Sequence, residues 1–411
     1  MLDNDVTAIE DVPPIKLDES FFQDPFALYA ELRGTGPARP VVLPQGLRVW
    51  IITDYAEARA ALADPRLSKD FAGAMPLMER HNESERPGRE GFATDLAAHM
   101  LNSDPPDHTR LRKLVNKAFT ARGVEHLRPR VAEITADLLA DMAGHDEVDL
   151  LDAFAFPLPM TVICELLGVP DGDRESFRQW SGTLLSAAPF DEVRAAAVAM
   201  QAYLVQLIAA KRAAPGPDLL TALIEAVEDG DRLSEHELVS MTFLLLLAGH
   251  ETTVNLIANA TLALLRAPDQ LAALRADPTL VPGAVEEFLR FDGPVNLATM
   301  RYTVEPVTYG GVTIPEGEFI AVAIGAANRD PQRFPDGDLL DVTRPPSAHL
   351  AFGHGIHYCV GAPLARMEAE IAIGALLARF PNLALAADPG DLAWRNSTIV
   401  RALSTLPVRL S

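Results

Sequence analysis

Phe352-Gly-His-Gly-Ile-His-Tyr-Cys-Val-Gly361 stands just ahead of a helix-forming run from Pro363 to Phe380. Glycines at 353, 355 and 361 let a backbone loop pass close to a flat partner, and they accept positive φ where a side chain would be strained. Cys359 lies among them. A thiolate there faces loop amides and the positive end of the following helix, both of which favour the ionised sulfur that binds metals or attacks electrophiles. A solitary Cys is ordinarily a small buried hydrophobe. The glycine framing is what points this one toward ligand chemistry.

Upstream, a second segment breaks the pattern of its own helix. Ser234 and Glu237 form a capping-box signature, and helical periodicity runs from there to about Arg266, ahead of Pro268. At 1.5 Å per residue that is about 50 Å, enough to cross a whole domain. Such a helix should be apolar nearly all round, as Met241–Leu247 is, yet Ala248-Gly-His-Glu-Thr-Thr253 interrupts it. Gly inside a helix costs about 1 kcal/mol against Ala, and a buried Glu costs more unless paired or solvated. Ala248 and Gly249 thin the helix to make room for a ligand, while Glu251 and Thr252 place an acid and an alcohol beside it, the parts of a proton relay. His250 reads as a helix-packing residue. Between the two segments, Glu287-Phe-Leu-Arg290 sets a carboxylate and a guanidinium three residues apart on one helix, spacing that permits a bidentate ion pair.

The 411 residues, 48% of them hydrophobic, can bury an extensive core. No linker, low-complexity tract or internal repeat divides the chain, so one domain over 1–411 is expected. Two cysteines exclude a disulfide framework, and Cys164, inside Met160-Thr-Val-Ile-Cys-Glu-Leu-Leu167, reads as core. The acidic N-terminus lacks the pattern of a signal peptide, and no apolar run is read as a bilayer span. A soluble, cytoplasmic monomer with no membrane partner is expected. A formal charge of −22 argues against nucleic acid, whose phosphates need a basic footprint.

The chain is read as mainly α with small β-sheets. A β-richer part covers about 38–70 and 300–325, and the helical body covers about 105–295. Val41–Thr53 is a hairpin followed by a helix capped at Asp54, and helices are expected at Thr109–Phe119, Val131–Met142, Met160–Leu167, Glu192–Lys211 and Leu219–Val227. Short strands are expected at Tyr302–Tyr309, Val312–Ile314, Phe319–Ile324 and Thr398–Ala402. Phe71 to Asn102, with Pro76, Pro87, Gly88 and many charges, reads as a long mobile loop.

Phe352, Gly353, Gly355, His357, Cys359, Gly361, Leu364, Ala365 and Arg366, read in order, resemble the haem-binding loop of the cytochrome P-450 monooxygenases. The likeness extends over nearly the whole chain, and Asp104-Pro-Pro-Asp-His-Thr-Arg-Leu-Arg-Lys113 is similar to soluble bacterial members, especially those that tailor macrolides, other polyketides and similar secondary metabolites. The resemblance implies a triangular, helix-rich single domain enclosing haem b (iron protoporphyrin IX), with the haem-ligand loop at 352–361. It implies Cys359 as the axial iron ligand, with Phe352, Gly353 and Gly361 framing it and Ala248 and Gly249 against the cofactor. His108, Arg112, Arg301 and His357 coincide with cationic propionate partners. Thr252 and Glu251 would carry oxygen activation, the alcohol steadying dioxygen and the acid gating protons. Glu287 and Arg290 would serve folding and haem retention.

By position in the same family pattern, Leu244, Leu245, Ala248, Val295, Asn296, Leu297, Ala298, Ile399 and Val400 would contact substrate, along with Phe71–Leu101 and Thr183–Phe190. Their mainly aliphatic character suits a large, mostly apolar molecule: a macrolide, polyketide, terpenoid or sterol-like compound, to be hydroxylated or epoxidised. Electrons would come from NAD(P)H through a separate ferredoxin reductase and ferredoxin. The island Arg110, Arg112, Lys113, Lys117 and Arg122, free of acids, is the expected docking patch for an acidic ferredoxin. A peroxide-dependent peroxygenase on the same fold and a noncatalytic haem-binding sensor or carrier stand as alternatives. Neither needs Glu251 and Thr252.

Overall fold

Long stretches of apolar periodicity become helices, and the polar-broken one is the longest. In the computed structural model, which describes residues 13–83, 96–184, 189–228 and 230–411, this central helix runs Glu235–Leu265, 31 residues. Both halves of the Ser234/Glu237 capping box form. Burial on nearly every side explains the lack of an amphipathic stripe: helices Pro157–Leu167, Phe190–Ala213, Val281–Asp292 and Ala362–Arg379 all pack on it. The expected helices lie within a few residues of their forecast positions, at Asp107–Ala118, Arg128–Met142, Pro157–Leu167, Phe190–Ala213 and Leu219–Glu225.

The small strands join segments far apart in sequence. A six-stranded sheet runs in the order Ile15–Lys16, Ala38–Val42, Arg48–Ile52, Phe319–Val322, Arg301–Thr303 and Leu67–Ser68. The hairpin register pairs Ala38 with Ile52 and Val42 with Arg48, and Arg48–Ile52 then lies parallel to Phe319–Val322. The two β-rich stretches thus share one sheet, while the expected strand Tyr302–Tyr309 is split, its second part Val307–Tyr309 pairing only with Val312–Ile314 in a separate two-stranded sheet. Leu67–Ser68 pairs antiparallel with Arg301–Thr303, which sets Lys69 beside Arg301 at the sheet edge.

Two expectations fail. Phe71–His81 is helical rather than loop: Asp70 caps it by accepting from the Gly73 amide at 2.7 Å, and Arg80 donates to the Gly317 carbonyl at 2.5 Å. Anchors at both ends outweigh Pro76 within. Residues 84–95 of that expected loop, and 185–188 of the expected substrate segment, lie outside the described residues. Thr398–Ala402 is not a continuous strand: it makes a single antiparallel bridge, Val400 to Val295, through the Asn296 amide to the Ile399 carbonyl and the Arg401 amide to the Pro294 carbonyl, while the Val400 amide donates to Ser397 Oγ. By length and composition alone, Asp191–Ala213 and Glu235–Leu265 are long and apolar enough to cross a bilayer, a test that the core helix of a globular protein also passes. For the second, 72% of its apolar window is buried within the protein, so its hydrophobicity serves the core.

Candidate active site

The Cys loop closes where the Cys359 amide donates to the Phe352 carbonyl at 2.9 Å. Gly353 and Gly355 take φ of 74° and 76°, so those two positions use glycine's freedom. Gly361 does not, with φ −79° at the N-cap of Ala362–Arg379. Gly355 also packs tightly, since a Cβ there would come within 3.0 Å of Ala63 Cα. Phe352 lies under the Arg366 guanidinium, 4.4 Å from its ring centre.

Cys359 is solvent-accessible yet ringed by protein, as a residue at the floor of a recess would be. Burial dominates and pushes its thiol up, against hydrogen bonds from the Gly361 and Ala362 amides and the charges of Arg112 and Arg366. The amide effect expected from sequence is present, joined by two cations, but does not prevail. A bound metal cation would reverse the balance. Cys164, by contrast, is core: fully buried, 3.6 Å from Met160 Sδ, its thiol pushed up to about 11 by desolvation.

On the central helix, Ala248 is exposed although most of the surrounding helix is buried, which marks the side that faces open space. Thr252 Oγ1, one turn on, donates to the Ala248 carbonyl at 3.0 Å. Glu251 is 6% exposed and is held by Arg395, whose Nη1 donates to Oε1 at 2.6 Å, with Asn255 Nδ2 at 3.4 Å. Arg395 went unnoticed in the sequence because 144 residues separate the pair. His250 packs as expected, its Nδ1 2.8 Å from the Leu246 carbonyl and its ring edge-on to Phe156. Gly249 departs from expectation. A Cβ there would meet Ile163 Cδ1 at 2.7 Å, so the glycine admits the neighbouring helix Pro157–Leu167.

Four segments bring cations together. His108 is buried, neither ring nitrogen has a hydrogen-bond partner, and its ring centre lies 4.4 Å from that of His357. Arg301 is buried and donates from Nη1 to the Thr299 carbonyl at 3.0 Å; desolvation pulls its guanidinium down to about 10. Desolvation first, then the positive charge of Lys69 and other neighbours, drives His357 down to about 2, and desolvation and Arg112 likewise lower His108. Half-buried Arg112 lies close enough to Cys359 to feel its charge. Buried cations and an unsatisfied imidazole beside a Cys whose sulfur accepts main-chain amides fit a metal-bearing group with two carboxylates.

Of the expected substrate residues, Leu244 and Leu245 lie on the central helix beside Ala248 but are 9% and 8% exposed, within the core cluster that holds Met241 and Leu246. Val295 and Ala298 are half-buried against one core cluster, Ile399 is exposed, and Val295 bridges Val400, which brings the two segments together. Asn296 and Leu297 do not join them. Asn296 Oδ1 accepts from Tyr29 Oη at 2.8 Å, and Leu297 is 2% exposed in the core with Phe21 and Phe319. Each is held inward by its own contact, Asn296 by the Tyr29 hydroxyl and Leu297 by apolar packing.

Glu287 and Arg290 form the expected buried pair, Nε–Oε2 and Nη2–Oε1 both 2.7 Å. Arg290 further donates to the carbonyls of Asn328, Gly337 and Leu339, and Arg344 joins Glu287 at 3.2 Å. The pair therefore ties the helix Val281–Asp292 to the chain entering the Cys loop. The basic island is less free than its sequence suggests. Arg110 pairs with Asp231 and Glu237, and Lys117 with Glu228, acids that folding returns to the island.

A mainly helical chain built on one long buried helix, with a glycine-framed Cys loop beside a cluster of buried Lys, Arg and His side chains, has the make-up of a haem-thiolate protein. The comparisons agree. The family model Cytochrome P-450 matches residues 190–384. The chain is 57% identical over 396 residues to Cytochrome P-450 107B1 of Saccharopolyspora erythraea, covering 96% of this chain and 97% of that one. It is 50% identical to the vitamin D(3) 25-hydroxylase of Pseudonocardia autotrophica, covering 95% of each. The solved structure of the tirandamycin C-bound monooxygenase TamI superposes with a TM-score of 0.90 at 54% identity, covering 97% of this chain and 100% of that one. The chain belongs to the cytochrome P-450 monooxygenases.

Proposed function

We propose that this monooxygenase uses haem b to hydroxylate or epoxidise a large, mostly apolar secondary metabolite of the macrolide, polyketide, terpenoid or sterol-like kind. NAD(P)H would supply the electrons through a ferredoxin reductase and a ferredoxin. Haem, when bound, supplies the iron at which dioxygen is reduced by two electrons and two protons, one oxygen atom entering the substrate and the other leaving as water. Cys359 holds that iron as a thiolate. Arg112, Arg301, His108 and His357 hold the two carboxylates. Thr252 presents a hydroxyl from the exposed side of the central helix, and Glu251 passes protons toward it once its carboxylate leaves Arg395. Ile399, Val295, Ala298 and Val400 give the substrate an aliphatic wall, and Ala248 gives it room against the helix.

The observation that carries this reading is the exposed Ala248 and half-exposed Thr252 in the middle of a helix otherwise buried. A haem carrier has no need of that break. The relatives support the substrate class, since they include a vitamin D(3) 25-hydroxylase and a tirandamycin C-bound enzyme. The reading is tested by the ferrous carbon monoxide complex. Wild type and Cys164→Ser should show the red-shifted Soret band of thiolate-bound haem, and Cys359→Ser should lose it. Loss in Cys164→Ser with retention in Cys359→Ser overturns the assignment.

A further inference from the structure

Lys69 is buried, 6% exposed, and among the described residues its ammonium has one polar partner, the Thr299 hydroxyl at 2.5 Å. An ammonium carries three donors and is strongly hydrated in water, so burial against a single alcohol is unfavourable. The surroundings make it worse. Arg301 reaches the carbonyl of the same Thr299, and desolvation together with Arg301 holds the Lys69 ammonium well below the usual lysine range.

The nearest acid, Asp104, is already engaged. Its Oδ1 accepts from the Lys69 amide at 3.0 Å and its Oδ2 from Ser68 Oγ at 2.5 Å. Those bonds also explain the placement. Asp104 precedes the helix Asp107–Ala118, and its carbonyl accepts from the His108 amide at 2.9 Å, so one residue fixes the end of strand Leu67–Ser68 beside His108 and Arg112. Lys69, Arg112 and Arg301 thereby gather around the stacked rings of His108 and His357, and among the described residues the one acid beside them, Asp104, is already taken. We infer that Lys69 is a further cofactor-positioning residue, its Nζ donating to a carboxylate of the bound haem alongside Arg301. This rests on the haem reading above. No sequence motif marks Lys69, which lies in Leu67-Ser-Lys-Asp70 at a strand end; the β-pairing with Arg301–Thr303 brings it to the cluster.

The test is the variant Lys69→Met, with Lys69→Arg as the conservative control, read as haem transfer to excess apomyoglobin and as urea unfolding of the haem-free protein. A charge-assisted hydrogen bond of ordinary strength predicts haem release faster by about ten- to a hundredfold in Lys69→Met, with Lys69→Arg near wild type. The haem-free protein should move the other way, its urea midpoint equal to or above wild type, because a poorly paired buried cation has been removed. The reduction midpoint of Lys69→Met should become more negative, since a cation near the iron favours the reduced state. Release unchanged within twofold overturns the inference. So does parallel loss of haem retention and haem-free stability, which would make Lys69 a fold element. Unchanged release with weaker binding of a fatty-acid probe such as laurate also overturns it, by assigning the ammonium to substrate carboxylates. A retained red-shifted carbon monoxide band in every variant separates each result from failure of the haem-thiolate reading itself.

Discussion

Gly249→Ala separates two explanations of a glycine inside the central helix. If the missing Cβ makes room for the cofactor, Ala blocks haem; if it admits a neighbouring helix, Ala strains packing. An added Cβ would stand 2.7 Å from Cδ1 and 3.0 Å from Cγ1 of Ile163, itself 3% exposed in the core. Ala gains up to about 1 kcal/mol of helix propensity, and overpacking costs about 1–3 kcal/mol. The net expectation is a loss of about 0–2 kcal/mol with haem uptake intact. Ile163→Val removes the clashing Cδ1 at a cost of about 0.5–1.5 kcal/mol, so in the double variant the clash is relieved and the two changes are favourably coupled by about 1 kcal/mol or more. Urea unfolding of wild type, both single variants and the double variant measures that coupling, and the Soret absorbance of each reports haem content. Additivity within about 0.3 kcal/mol, or loss of haem from Gly249→Ala without loss of stability, would refute the packing argument.

Thr252→Ala should keep substrate binding but divert electrons from product to peroxide, because proton delivery loses its ordered hydroxyl; the ratio of product to NAD(P)H consumed falls severalfold, and unchanged coupling removes Thr252 from the mechanism. His99 is buried, and desolvation lowers its imidazole to about 4. Below the unfolded value near 6.5 the unfolded chain takes up a proton that the folded one refuses, so stability is full above pH 6.5 and falls on acidification by about 1.4 kcal/mol per pH unit, levelling near pH 4. His99→Gln should flatten the dependence of the urea midpoint between pH 7 and 5, and an equal slope in both proteins would contradict this.

Chemistry that depends on neighbours in sequence could be read without a fold. The glycines at 353 and 355 require positive φ for backbone reasons, the Ser234/Glu237 capping box closes within four residues, and Glu287 meets Arg290 one helical turn away. Helical periodicity likewise placed the main helices. Local patterns also misled where tertiary anchors were stronger, as at Phe71–His81, where Asp70 and the Gly317 carbonyl hold both ends of a helix around a proline.

Pairing across long separations was decided only by the tertiary structure. Arg395 holds Glu251, Asp231 and Glu237 neutralise Arg110, and Lys69 joins Arg301 through a strand register. The Tyr29 hydroxyl claimed Asn296, the core around Phe21 and Phe319 claimed Leu297, and helix packing assigned Gly249 to Ile163. Sequence alone determined the family, because that rests on residue type and short spacing. Which charges are satisfied, and which buried cations still lack an anion, depends on what folding brings within a few ångströms, where desolvation makes each pairing count.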